Sequence, residues 1–332
     1  MRIFSGIQPT GRKHLGNYIG AIRRYVEGQD EAGESIYCVV DLHAITVAYD
    51  PTELRERVYD TIAILVAAGL DPERSVLFRQ SDVVAQPELA WLLSSVTSWG
   101  DLNRMHQFKE KSGSQRDLAS AGLFSYPVLM AADVLAYRAT HVPVGDDQRQ
   151  HIELMRDIAQ RFNARYGDTL VVPEGTYPAV GARIMDLQEP TRKMSTTAGT
   201  EQGRVYVLDD PKTIERKFKR AVTDSDDPPV IRASADKPGV TNLLEIVAAA
   251  RHMTIPEAEA MLSDARGYGD LKAEAANAVV EMLDPVRQRY EALRPDADRL
   301  EEILALGAEK ARAMTASVLH DVRRAMGVGP LS

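Results

Sequence analysis

The chain has 332 residues, 44% hydrophobic and 27% charged, which suits a globular protein with room for one large domain or two smaller ones. Its net charge of −8 excludes a general nucleic-acid coat, which needs a broad basic surface, while leaving room for a local basic patch facing one structured RNA. A single cysteine, Cys38, excludes a disulfide framework and a cysteine-based zinc site; with no signal-peptide core and no apolar run near eighteen residues, a reducing cytoplasm is expected and a membrane partner is not.

Ile3-Phe4 reads as a first strand, and Ile19, Ile22 and Val26 fall at the spacings of a helix. Between them, Gly6 to Gly20 is a strand-to-helix loop whose glycines let backbone approach a ligand. In an open parallel sheet such a carboxyl end is where ligands bind, and the N–H groups opening a helix suit a phosphate. Gln8, His14 and Asn17 add neutral hydrogen-bonding side chains. An ordinary Gly/Pro-rich surface loop is the plain alternative.

Ser35 to Asp41 is a nearly continuous apolar run, as expected of a parallel strand covered on both faces, with Cys38 as a small buried residue. It leads into Asp41-Leu42-His43. Asp50 then serves as N-cap, Pro51 as the first helical residue and Glu53 as the capping-box partner. Leu54, Val58, Ile62 and Leu65 make one apolar stripe, and Gly69 ends the helix. Ser75 to Arg79 reads as another strand, so the alternation predicts a doubly wound α/β sheet.

Glu88 to Val96 is predicted helical and residues 113–122 a loop. Asp133 is the only charge between Tyr126 and Tyr137. A buried carboxylate must be paired, either by the protein's own groups or by a ligand N–H, with Met130 one turn earlier on the same face. His141 to Val144 is a short strand ending in Gly145-Asp146-Asp147-Gln148, ahead of a long helix through Phe162. One acid can cap that helix while the other and Gln148 face a nucleotide. Val180 to Met185 is predicted as the last strand, followed by a polar, hydroxyl-rich loop from Glu189 to Gly199 that taken alone is an ordinary surface loop.

Past Val207 the pattern is helical throughout: a helix from Pro211 carrying Arg216, Lys217, Lys219 and Arg220, then Leu243–Arg251, Pro256–Ala265, Asp270–Leu293 and Ala297–Met326. The expected division is an α/β catalytic domain over 1–206 and a helical region over 207–332 whose last helix packs back on the first domain. The basic run is either a solvated face or a contact for a polyanion.

Ser5 to Gly11, His14 to Gly20, Tyr37 to Thr46, Tyr126 to Asp133, Val142 to Glu153, Lys193-Met194-Ser195, Ala221 to Ser225 and Lys237 to Leu244 together resemble class I aminoacyl-tRNA synthetases, specifically the bacterial tryptophanyl-tRNA synthetases. The resemblance runs in order over nearly the whole chain. It implies a Rossmann-type catalytic domain, a helical anticodon-recognising region and a homodimer. It also implies ATP-dependent activation of L-tryptophan, with Mg2+ accompanying ATP and no dedicated protein metal site, followed by transfer to tRNA(Trp). Gln8, Pro9, Thr10, Gly16 and Asn17 would contact ATP, Gly145, Asp146, Asp147 and Ile184 would hold the adenosine, and Lys193, Met194, Ser195, Thr196 and Thr197 would form the mobile loop on the pyrophosphate. His14, Asn17, Lys193, Ser195 and Thr196 would carry the catalytic contacts. Asp133 would accept the indole N–H beside Phe4, His43 and Met130, and Tyr126 and Gln148 would fix the ammonium and carboxylate.

Two positions depart from the pattern. Thr196 stands where the family's second loop carries its second lysine, and His14 stands where bacterial members commonly carry threonine. Arg192 and Arg204 are the candidate replacement cations, and the first loop is expected to carry more of the phosphate stabilisation. Three readings follow: an active tryptophan enzyme, a weakened paralogue that regulates by binding RNA or tryptophan, and a tyrosine enzyme.

Overall fold

The structure, a computed structural model, describes residues 1–31, 33–105, 120–177, 183–195, 199–226 and 228–330, with only the backbone of Glu31 and Asp146. Five strands, β1 (Arg2–Ile7), β2 (Glu34–Val39), β3 (Val76–Arg79), β4 (His141–Pro143) and β5 (Glu174–Thr176), form one sheet in the order β3-β2-β1-β4-β5. All neighbours pair parallel, with Gly6 opposite Cys38 and Ile3 between Ser35 and His141. The winding reverses between β1 and β4, which makes their carboxyl ends the switch point of a Rossmann-type fold.

The apolar run of β2 has a cause on each side. Ile36 and Cys38 enter one core with Phe4 and Phe78, and Tyr37 and Val39 enter the other with Leu15 and Ile62. Both faces are dry, so no polar alternation survives. The expected strand over residues 180–185 is corrected. Residues 180–182 lie outside the described residues, Arg183 and Ile184 are not in a strand, and Met185 makes only an isolated bridge to Lys193. The fifth strand is Glu174-Gly175-Thr176. As a short edge strand with one neighbour and no buried residue it carries no apolar signal.

The helix Pro51–Ala68 is built as its termini predict. Asp50 accepts from the Glu53 backbone N–H at 2.8 Å, and Gly69 closes it at φ 114°. The Glu53 side chain does not complete a capping box; it accepts from Arg57 at 3.2 Å. The first helix runs from Leu15–Asn17 through a π-helical turn, Tyr18–Ile22, into Arg23–Glu31.

The helices Pro211–Lys219, Pro238–Arg251, Ile255–Met261, Tyr268–Leu293 and Ala297–Met326 follow. One apolar cluster joins Leu15 and Ile62 to Phe218, Leu244, Leu271 and Leu304. The last helix lies against β3 so closely that a Cβ on Gly307 would fall 1.8 Å from the Leu77 carbonyl oxygen. Only glycine permits that approach, and the approach covers the open edge of the sheet. Polar staples join the same parts: Arg294 Nε and Tyr290 Oη donate to Asp60 at 2.7 and 2.9 Å, and Arg79 pairs with Glu301 at 3.0 Å.

Candidate active site

β1 and β4 are parallel neighbours, so the loops after them leave the same end of the sheet at the switch point. In the first, His14 is the N-cap of Leu15–Asn17: its Nδ1 accepts from the Asn17 N–H at 3.3 Å, and the Asn17 side chain accepts from the His14 N–H at 3.1 Å. His14 is 4% exposed. Burial, then Lys193, Lys13 and Arg204, push its pKa down to about 4. It is therefore neutral at pH 7, with the proton on Nε2 because Nδ1 is accepting. It can give a phosphate one hydrogen bond and no charge, which limits the larger role expected of it.

Gly16 meets Ile184: an added Cβ would lie 3.1 Å from the His14 ring and 3.6 Å from Ile184. The loop is also tied backwards, by Leu15 N–H to the Val205 carbonyl at 2.7 Å and Val207 N–H to the Lys13 carbonyl at 2.9 Å. Lys13 Nζ donates to the Gln8 carbonyl at 2.6 Å and to that of Thr10 at 3.3 Å, which shapes the Gln8-Pro9-Thr10 turn from behind. Burial, helped by Arg57, pushes the Lys13 pKa down to about 8.

The loop that follows Ile184 is a tight backbone turn. Asp186 N–H donates to the Arg192 carbonyl at 2.8 Å and Met194 N–H to that of Ile184 at 3.0 Å, burying Met194 and leaving Lys193 exposed. Ser195 is half-buried, and Thr196 and Thr197 lie outside the described residues. Asp186, which sequence reasoning missed, is 1% exposed and accepts from the Gln188 and Glu189 N–H groups at 2.7 and 3.1 Å. Its carboxylate fills the space where a Cβ on Gly199 or Gly203 would stand, so it fixes both flanks of the loop. Of the two candidate cations, Arg192 pairs with Glu189 in an exposed ion pair at 3.2 Å, while Arg204 lies near enough to His14 to lower its pKa.

At the other loop, Asp147 is not the cap among the described residues. The helix Arg149–Tyr166 has Gln148 as N-cap with no side-chain bond. Asp147 instead accepts from Gln148 Nε2 at 2.7 Å and lies over Gly145, where a Cβ would come within 2.7 Å of its Oδ1. The Asp146 side chain is outside the described residues.

Asp133, on the helix Ala121–Leu135, is 2% exposed. Its Oδ1 accepts from Gln80 Nε2 at 2.7 Å and Gln86 Nε2 at 2.8 Å, and its Oδ2 lies 2.8 Å from His43 Nε2. Tyr126 meets His43 edge-on at 6.1 Å and bonds His151 Nε2 through its hydroxyl at 2.8 Å. Phe4 stacks on Tyr137 at 5.4 Å, and Met130 is half-buried one turn before Asp133. Sequence reasoning missed Gln80 and Gln86. Gln80 was findable, because it directly follows the carboxyl end of β3.

The basic run is also corrected in part. Lys217 is 3% exposed, pairs with Asp209 at 2.7 Å and lies 4.9 Å over the Tyr206 ring, which the Arg12 guanidinium also approaches at 3.8 Å. It is therefore removed from any polyanion, whereas Arg216, Lys219 and Arg220 stay exposed.

A parallel sheet in this order, with a glycine-containing loop and a His–Asn capped helix at its switch point, defines a nucleotide-binding α/β protein. The family model of tRNA synthetases class I (W and Y) matches residues 1–284. The fold is similar to that of tryptophanyl-tRNA synthetase from Mycoplasma pneumoniae, with TM-score 0.88 and 34% identity over 99% of this chain and 98% of that one. It is also similar to tryptophanyl-tRNA synthetase from Campylobacter jejuni complexed with ADP and tryptophan, with TM-score 0.85 and 32% identity over 99% and 100% of the two chains. Tyrosyl-tRNA synthetase from Archaeoglobus fulgidus, at 20% identity and TM-score 0.68, shares the fold. The chain belongs to the class I tRNA synthetases of the tryptophan and tyrosine branch.

Proposed function

We propose that the protein is a tryptophan–tRNA ligase, which activates L-tryptophan with ATP and transfers it to tRNA(Trp). The structural observation behind this reading is Asp133, a buried acceptor for one ligand donor. A carboxylate has about four acceptor positions, and three are taken by Gln80, Gln86 and His43. The remaining position on Oδ2 suits one N–H donor, such as the indole of tryptophan. Phenylalanine leaves it unpaired, so the pocket discriminates against it by hydrogen bonding; the choice over tyrosine is supported by the tryptophanyl-tRNA synthetases at 34% and 32% identity, against 20% for the tyrosyl one. Phe4, Met130 and His43 border the ring, while Tyr126 and Gln148 hold the ammonium and carboxylate. The tryptophan and ADP bound by the Campylobacter jejuni relative support both halves of this reading.

In the proposed reaction the tryptophan carboxylate attacks the α-phosphorus of ATP in line, the bond to the pyrophosphate oxygen breaks, and the adenylate remains. No protein nucleophile is needed; positioning and neutralisation of developing charge suffice. Gln8, Pro9, Thr10, Gly16 and Asn17 hold the triphosphate, Gly145, Asp146, Asp147 and Ile184 hold the adenosine, and Lys193 with Met194, Ser195, Thr196 and Thr197 closes over the pyrophosphate. His14 donates from Nε2. Among the described residues no group of three or more His, Cys, Asp or Glu side chains could hold a metal ion. Magnesium is proposed to arrive with the ATP phosphates. The proposed location is the cytoplasm, and no helix among the described residues is long and apolar enough to cross a membrane.

A homodimer is proposed; Val84, Trp91 and Trp99 are 72%, 79% and 68% exposed, and exposed large apolar side chains are candidates for its interface. The experiment that tests the activity is ATP–pyrophosphate exchange with tryptophan and with tyrosine, followed by tRNA charging. Exchange with tryptophan alone is expected. Exchange with tyrosine would reassign the substrate, and exchange with neither would favour the regulatory paralogue.

A further inference from the structure

We propose that the cavity between the first loop and the helix Pro51–Ala68 binds a small oxyanion of the phosphate class, held by Arg12, Lys13 and Arg57. The cavity has a volume of about 170 Å³ and is lined by these three cations together with Asp60, Thr61 and Tyr206. That is well above the ~10–15 Å³ that one water needs.

Charge decides what it takes. Asp60, the acid in the lining, is already matched, because its Oδ1 accepts from Arg294 Nε at 2.7 Å and from the Tyr290 hydroxyl at 2.9 Å. Arg57 approaches its other oxygen only at 3.5 Å. Asp209, just outside, is matched by Lys217 at 2.7 Å and by the Tyr206 N–H at 2.9 Å. Arg12 therefore reaches Asp209 and Glu201 only at 3.5 and 3.4 Å, and Glu201 is exposed. Arg57 reaches Glu53 at 3.2 Å, again on the exposed side. Lys13 makes hydrogen bonds to backbone carbonyls and none to a carboxylate among the described residues. Three cations thus surround a space whose nearby acids are spent elsewhere or stand in solvent. Ile64 and Leu208 complete the lining with apolar surface, which leaves the field there weakly screened. Arginine forks with a lysine beside them are the side chains that recognise phosphate oxygens.

The site is separate from the proposed tryptophan and adenosine contacts, and it does not depend on the proposed activity. It touches the back of the nucleotide loop, since the Lys13 ammonium also holds the Gln8 and Thr10 carbonyls. An anion there would hold Lys13 charged and the turn in place, linking oxyanion concentration to the order of the loop.

The test is calorimetric titration of the full-length protein, free of nucleotide, with inorganic phosphate in an anion-poor buffer. Saturable binding at about 1 mM or tighter is expected. Arg57→Met is expected to weaken it about tenfold or more, because a charge-assisted contact is lost, and Lys193→Ala is expected to leave it unchanged. Arg12→Met, at a side chain about half exposed, repeats the comparison if Arg57→Met lowers the melting temperature. No saturable binding in the unmodified protein would overturn the proposal. So would binding insensitive to both arginine variants. Loss in Lys193→Ala would also overturn it, by moving the phosphate into the nucleotide crevice.

Discussion

His43, Gln80, Gln86 and Asp133 are 7%, 0%, 0% and 2% exposed, whereas Gln8, Thr10 and Lys193 stand in solvent at the mouth of the same sheet. The floor of the proposed amino-acid pocket is a polar network with three of about four acceptor positions on Asp133 filled by the protein's own groups. The nucleotide side is held mostly by backbone: a cap at His14, carbonyls gripped by Lys13, and a bridge to residues 205–207. Reading one N–H correctly requires a dry acceptor whose geometry does not relax. Receiving a triphosphate requires exposed donors that can close around it. The two halves of the proposed site differ as their proposed ligands do, in charge and hydration.

The largest effect is expected where the dry half is broken. Asp133→Ala strands His43, Gln80 and Gln86 without their acceptor. At about 1–3 kcal/mol for each buried group left unsatisfied, it should cost at least about 3 kcal/mol in urea unfolding and abolish tryptophan-dependent exchange. Stability within 1 kcal/mol of the parent, taken as about the low end of that range, would show that the network is not closed as described. Next comes the buried pair behind the nucleotide loop. Lys217→Met leaves Asp209 facing only Arg12 at 3.5 Å and the Tyr206 N–H, for a loss of about 3 kcal/mol. The KM for ATP should rise while that for tryptophan holds. A matching rise in both would erase the contrast between the halves.

A pH experiment reaches the wet half directly. His14 is held at about 4 in the folded protein against an ordinary 6.5. Between those values the unfolded chain binds a proton that the folded chain refuses, so stability is full above about 6.5 and falls as the pH drops toward about 4. Replacing His14 with Gln should flatten acid unfolding over that window by on the order of 3 kcal/mol. An unchanged slope would mean that His14 titrates normally. The smallest effect is expected at Arg192. Its ion pair with Glu189 is exposed on both sides and contributes at most about 1 kcal/mol. Arg192→Ala should barely change pyrophosphate exchange, whereas Arg204→Ala, beside His14, should slow it several-fold with tryptophan affinity kept. The reverse ranking would return Arg192 to the role the sequence suggested for it.

Much of this was legible beforehand, for identifiable reasons. β1 to β4 and the helix Pro51–Ala68 announce themselves because apolar runs and end caps are local. β5 did not, because a three-residue edge strand buries nothing. The basic run looked like one surface, yet Lys217 turns inward, since its acid, Asp209, lies eight residues back across a turn. Asp133 was conspicuous as a lone charge. Its partners Gln80 and Gln86 were not, because a neutral amide carries no signal until something is seen to face it.

By itself the sequence determined β1 to β4 and the long helices, that Asp133 must be paired, and that the Gly6 to Gly20 stretch links a strand to a helix. Those follow from propensity, capping and the cost of burying a charge, all of which act within a few residues. Only the tertiary structure decided the strand order that places the two loops at a switch point, the amides that fill Asp133, the neutral state of His14 and the positive cavity behind Lys13. Each depends on groups 40 to 230 or so residues apart in the chain, such as Gln80 with Asp133 and Asp60 with Arg294. Hydrogen bonds and charges report where atoms meet in space, and chain folding alone sets those meetings.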